Sequence, residues 1–379
     1  MSLSFALALL ALDPMSTGMA NGAGPRVLPE QRFDTLSPIS GTVRRAGALP
    51  PVASGLDIDS LLGPKRVPPS AAPDVVGAFR FLCGPGQLLY DDPIVYPGKS
   101  GAAHLHQFFG NLDADANSTY ASLRKSGEST CMNGLNRSAY WMPALLDGRG
   151  HVIRPNMVSI YYKRRPTNDP WWKGRAEPTD LPNGLRYIFE YDMNRVATGK
   201  PQDTTFQWSC IKGWSPIAAG TMEQALSKCE PGMKLAVTGH SEMCWDGVNM
   251  DTPDHRSHMS KMVGGKCPST HRKALPVFTL SAQWTIGEED KPALFHLSSD
   301  TMLPGFKPGD KRRGSTFHGD WFGAWEDETL KAWHRNCIDK MLNCSDGDLG
   351  NGTILRRGKY YPGSEANPRL VQIPAHTSH

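Results

Sequence analysis

The chain has 379 residues, enough for one large core or two domains, with 39% hydrophobic residues and a mean hydropathy of -0.41, which suits a soluble globular protein. Its 41 basic and 37 acidic residues leave a net charge of +4. That balance, with only short clusters such as Lys163-Arg164-Arg165 and Lys311-Arg312-Arg313, excludes a nucleic-acid partner. The 38 glycines and 31 prolines favour short strands and long ordered loops over a helical bundle.

Residues 1–23 read as a signal segment. The apolar run Ser4–Leu12 is too short to span a bilayer, and small residues follow it near Ala20–Ala23, although no Lys or Arg precedes it. No other run is long enough to cross a membrane. Residues 24–73, rich in Pro, Gly, Ser and Ala, read as a disordered leader. A single β-rich domain is expected over 74–345, and a loosely held tail over 346–379.

Within the domain, Val75–Cys83 is a plausible strand. In Gly101-Ala102-Ala103-His104-Leu105-His106-Gln107-Phe108, strand alternation puts His104, His106 and Phe108 on one face. Two imidazoles pointing together fit one metal ion or one substrate group. Further strands are expected over 139–146, 152–162, 185–191, 204–210, 234–239, 275–285 and 293–297. A Thr221-capped helix is expected over 221–228, and a longer helix over 327–342, where Leu330, Trp333, Ile338 and Met341 approximate helical spacing.

The densest chemistry lies in Cys244-Trp245-Asp246-Gly247-Val248-Asn249-Met250-Asp251-Thr252-Pro253-Asp254-His255-Arg256-Ser257-His258. Pro253 and Gly247 make it a structured loop. His255 and His258 are three apart, so a turn presents both to one point. Together with His104, His106 and the His318-Gly319-Asp320 stretch they form a candidate site. His104, His106, His255, His258 and His318 are the candidate ligands of one divalent metal, whose identity the sequence leaves open. Asp254, His255, Asp246 and Asp320 are the candidate catalytic groups, Asp254 also as an orienting carboxylate. The pair of carboxylates of a glycoside hydrolase is an alternative use of Asp246, Asp251 and Asp254. Trp141, Tyr161, Trp171, Trp245 and Arg256 are the candidate substrate contacts, because loop tryptophans stack on sugar rings. The motifs G-x-S-x-G, H-E-x-x-H and G-x-G-x-x-G before a helix are absent.

The eight cysteines, none in C-x-x-C spacing, suggest disulfides paired in sequence order and an oxidising compartment.

Several long stretches, in this order, resemble one family. They are Asp92-Pro93-Ile94-Val95-Tyr96-Pro97-Gly98, His104-Leu105-His106-Gln107-Phe108-Phe109-Gly110, Ala139-Tyr140-Trp141-Met142-Pro143, Cys244-Trp245-Asp246-Gly247, Pro253-Asp254-His255-Arg256-Ser257-His258-Met259, Cys267-Pro268 and His318-Gly319-Asp320-Trp321. They are similar to a secreted domain-of-unknown-function family (nineteen-ninety-six) of filamentous fungi and bacteria, over about residues 79–343. The resemblance implies an extracellular or periplasmic location and a single domain. Because fungal members often carry carbohydrate-binding modules, it also implies a polysaccharide partner by association.

The expectation is therefore a mainly β protein: one sandwich or jelly-roll-like domain with long loops, disulfides and a C-terminal helix, monomeric. Its expected function is a secreted hydrolase or lyase acting on extracellular carbohydrate through a His/Asp site with a divalent metal. The alternative is a non-catalytic, wall-associated carbohydrate- or metal-binding protein.

Overall fold

In the computed structural model, residues 49–362 and 368–376 are described. The expected signal segment, and the leader up to residue 48, lie outside them. Twelve strands carry most of the architecture: β1 (Gly77–Cys83), β2 (Leu88–Leu89), β3 (His106–Gly110), β4 (Ala139–Pro143), β5 (Met157–Arg164), β6 (Arg186–Glu190), β7 (Gln207–Lys212), β8 (Ser215–Gly220), β9 (Lys234–His240), β10 (Val277–Thr285), β11 (His318–Phe322) and β12 (Asn343–Cys344). They form a five-stranded sheet in the order β6-β11-β4-β3-β2 and a seven-stranded sheet in the order β8-β7-β9-β10-β5-β1-β12. Neighbours are antiparallel except β1 and β12, which pair in parallel.

The period of two in each strand decides what lies between the sheets. Tyr140, Trp321, Tyr187 and Phe189 leave one face of the five-stranded sheet, and Phe79, Phe81, Tyr162 and Phe278 leave the facing side of the seven-stranded one. All are buried in one core. Tyr140 and Tyr162 share a hydrogen bond of 3.0 Å across the interface, and the rings of Phe278 and Trp321 stack 6.2 Å apart. Buried phenolic oxygens need such partners.

Alternation leaves the second face of the five-stranded sheet for His106, Phe108, Trp141, Ile188, His318 and Asp320. The strand register sets Phe108 opposite Trp141, Trp141 opposite Asp320, and Asp320 opposite Ile188. A second apolar cluster, which includes Ile94, Phe108, Leu123, Trp141 and Phe322, covers part of this face.

The chain's ends depart from expectation. Residues 49–73 are packed and not a free leader. Leu49, Leu56, Ile58, Leu61 and Leu62 lie against the main core, and Leu62–Pro64 pairs with Thr353–Leu355. Scattered leucines at a low overall apolar density supplied the contacts. The segment beyond 345 is likewise held, since Leu370–Gln372 pairs with His151–Ile153. The C-terminal helix is shorter than expected. An α-helix spans Asp327–Trp333, and one π-helical turn spans His334–Ile338. The chain must leave the helix early because Asn343–Cys344 joins the sheet as β12.

Cysteines pair in sequence order: Cys83–Cys131, Cys210–Cys229, Cys244–Cys267 and Cys337–Cys344, with none free. No helix among the described residues is long and apolar enough to cross a membrane.

Candidate metal centre

His106 opens β3 and points away from the core. His104 lies just before the strand and not on it, yet its ring centroid is 4.1 Å from that of His106. His318, at the start of β11, brings a third ring, 5.1 Å from His104 and 5.9 Å from His106. One ligand atom from each of the three lies within 4.8 Å of the others, so the group can hold one metal ion.

Backbone carbonyls fix how two of these rings are used. The Asp91 carbonyl lies 2.9 Å from His106 Nδ1, and the Thr316 carbonyl lies 2.9 Å from His318 Nδ1. A carbonyl only accepts, so each Nδ1 carries the proton and each Nε2 keeps its lone pair. A backbone carbonyl on the second nitrogen is the usual support of a metal-binding histidine. Nε2 of His106 and Nε2 of His104 are buried without a partner. Burial pushes the pKa of His106 down to about 4 and that of His318 to about 3, and that of His104 well below its ordinary value. All three are therefore neutral, the form that ligates.

Asp320 is wholly buried two residues further along β11. Neither carboxylate oxygen has a hydrogen-bond partner, and Oδ2 lies 3.9 Å from His318 Nε2. Burial, with Asp92 adding to it, pushes its carboxyl well above the usual carboxylate range. Buried unpartnered carboxylates are costly and rare. A cation among these groups would remove that cost, so the donor set fits a divalent ion. Gly319 lets His318 and Asp320 sit here. A Cβ at residue 319 would stand 2.3 Å from the Phe189 ring, so only glycine admits the close contact between β11 and β6.

The 246–258 loop docks along the edge of β6: the Arg186 N–H donates to Met250 O, and the Ile188 N–H donates to His255 O. His255 adopts a φ of 56°, a left-handed conformation that is uncommon for a residue with a side chain. Its Nδ1 is 2.9 Å from Asp251 Oδ1. Asp251 is held in turn by Arg186 Nε at 2.8 Å and by the Thr252 N–H. Asp92 is buried with Oδ1 accepting the Ile94 and Val95 N–H groups, and burial pushes its carboxyl above the ordinary value although those bonds oppose it.

The other residues singled out from the sequence are employed differently. His258 stands apart from the ligand group, because both ring nitrogens are occupied: Nδ1 lies 2.9 Å from Thr252 Oγ1, and Nε2 lies 3.0 Å from the Arg186 carbonyl. His255, through Nδ1, is committed to Asp251, and the ligand group does not include it. Asp254 organises the loop. It accepts from Thr252, Arg256 and Ser257, and although burial opposes this, those bonds hold its pKa below the ordinary value. Asp246 caps a turn through the Val248 and Asn249 N–H groups.

Trp141 is fully buried, stacked on Phe108 at 5.2 Å, and is closed to a substrate. Trp245 is buried, with Nε1 donating to Asn249 O. Arg256 donates to the carbonyls of Glu190 and Tyr191. Tyr161 pairs with Arg80 and Thr279 on the seven-stranded sheet, and Trp171 lies between Arg165 and Arg175 in the loop that follows β5, so neither belongs to the histidine face.

Asp92 has no role in the sequence reading, and Asp251 has one only as an alternative glycosidase carboxylate beside Asp246 and Asp254. Asp92 precedes proline and reads as turn chemistry, and Asp251 reads as one carboxylate among three. A backbone N–H pattern and a hydrogen bond to His255 are visible only in three dimensions.

No curated protein and no solved structure matches the chain. The family model described as Domain of unknown function (DUF1996) matches residues 92–325, a span that opens at Asp92 and contains every group of the histidine cluster, and the chain belongs to that family.

Proposed function

We propose that this protein is a secreted, metal-dependent hydrolase or lyase acting on extracellular carbohydrate, in which His104, His106, His318 and Asp320 hold one divalent ion. The observation that carries the metal is the buried group of His104, His106 and His318, in which Nε2 of His104 and Nε2 of His106 have no partner, with the unpartnered Asp320 carboxylate 3.9 Å from His318. Imidazole with carboxylate suits zinc and its first-row neighbours. An ion held there supplies a Lewis acid for a carbonyl, a water or a sugar oxygen.

Proton movement falls to His255. Asp251 fixes the ring through Nδ1, which leaves Nε2 as the nitrogen that exchanges a proton with substrate. The left-handed backbone of His255 is the kind of local strain that sites retain. Four disulfides accord with secretion, since such bonds persist in oxidising compartments.

A second reading is favoured by one specific observation. His106 is 0% exposed, His318 5% and Asp320 0%. A closed set of four protein ligands is the mark of a structural metal, and then the protein binds without turnover.

Elemental analysis of protein purified without affinity metal tests the shared part. We expect about one divalent ion per chain, and its loss in His106→Ala with a cooperative melt retained; a metal-free wild type that gains no ion on titration would remove the proposal. Labelled polysaccharides then separate the readings. Product release that is abolished by His255→Ala, with metal content unchanged, supports catalysis. Retention of ligand without product supports the binding protein.

A further inference from the structure

We infer that the outer face of the seven-stranded sheet carries a second binding site, for an acidic saccharide whose ring bears a carboxylate. Alternation along β1, β5, β10 and β9 sends Phe79, Tyr162 and Phe278 inward, and the intervening residues outward. The register aligns Arg80, Tyr161, Thr279 and His240 as one polar row across four strands. His240 is exposed at the end of the row, with Nδ1 3.2 Å from Thr279 Oγ1.

Beside that row the loop after β5 frames an open cavity of about 280 Å³, lined by Lys163, Arg165, Trp171, His240, Val277 and Thr279 among others. The volume falls just under the range that holds drug-sized ligands, about 300–1,000 Å³, and so matches a single ring of a longer ligand.

Charge selects the occupant. Arg164 is neutralised by Asp339 at 3.1 Å and Asp180 at 3.6 Å, and Arg165 by Asp169 at 2.8 Å. Lys163 and Arg175 have no carboxylate within ion-pair distance among the described residues. They lie instead over aromatic rings, Lys163 4.3 Å from the centroid of Tyr161 and Arg175 4.9 Å from that of Trp171. Glu190 beside His240 is already engaged, accepting the His240 N–H at 2.9 Å and the Thr205 N–H and hydroxyl. The Trp171 ring thus positions guanidinium groups at the rim, where a free indole would have suited a neutral sugar. Two uncompensated cations beside hydroxyl and aromatic side chains complement a carboxylate and the hydroxyl-bearing ring that carries it.

The site is on the sheet opposite the histidine cluster, and its test is independent of any metal. Calorimetry of the full chain with a galacturonate trisaccharide should show binding, with a neutral galactose trisaccharide at least tenfold weaker. Lys163→Gln combined with Arg175→Gln should weaken uronate binding at least tenfold at an unchanged melting temperature. His106→Ala should leave it unaltered, which separates this site from the metal centre. Failure to bind the uronate, equal affinity for the neutral sugar, or insensitivity to the double substitution would each overturn the inference. So would displacement at equal affinity by a single-stranded oligonucleotide, which would mark a general polyanion surface.

Discussion

His106 and His258 are both buried histidines, and only the second nitrogen of each ring tells them apart. In His106 one nitrogen is held by a carbonyl and the other is unpartnered; in His258 both are held. Replacing His258 by alanine should therefore leave metal stoichiometry unchanged but strand the Arg186 carbonyl and take one of two partners from the Thr252 hydroxyl, lowering stability by about 1–3 kcal/mol in denaturant titration. His106→Ala should lose the metal and, because it strands only the Asp91 carbonyl, should cost the metal-free protein less than His258→Ala does. A metal-free melt depressed equally by both would mean that His106 is structural too.

Strands β11 and β6 illustrate how an element positions chemistry. His318 and Asp320 reach one face because Gly319 lies flat on Phe189 on the other. Gly319→Ala should cost about 1–3 kcal/mol through overpacking, and should disturb metal binding as well, since it shifts the strand that carries two ligands. A variant with wild-type melting and wild-type metal content would show that Phe189 simply moves aside. At the N-terminal edge, strand Leu62–Pro64 and the leucines before it cover the core. Truncation to residue 74 should lower the melting temperature by several degrees relative to truncation to residue 49. Identical melts would show that these contacts contribute nothing.

For the molecule as a whole, buried neutral histidines set the response to acid. His334 is stacked on Trp333 and accepts the Leu181 N–H at Nε2, and burial, with Arg164 adding to it, pushes its pKa well below 6.5; burial likewise lowers His258. The unfolded chain protonates both near the ordinary value of 6.5, while the fold keeps them neutral. Between the folded values and 6.5 the unfolded state holds more protons, so stability rises with pH there and is lost as pH falls below about 6.5. Each group contributes up to about 1.4 kcal/mol per pH unit across its window. Denaturant midpoints measured from pH 7.5 down to 4.5 should fall, and His334→Gln should flatten the curve; a midpoint constant over that range would refute this account.

Much of this was decided locally. Period-two alternation put His106 and Phe108 on one face, glycine and proline fixed the 246–258 segment as a loop, and widely spaced cysteines with no C-x-x-C pair indicated the disulfides, whereas the strand that carries His318 and Asp320 was not among those expected. The tertiary structure decided which of the chemically similar residues share a site. Strand order brings β3 and β11 together with only β4 between them, although they are more than 200 positions apart in the chain, so His104, His106 and His318 meet. The same packing buries Trp141, sends Tyr161 to the other sheet and gives Asp251, not Asp254, to His255. Side-chain periodicity belongs to each strand alone, whereas the partner of a polar atom depends on which backbone folds against it, and that is settled only when the whole core closes.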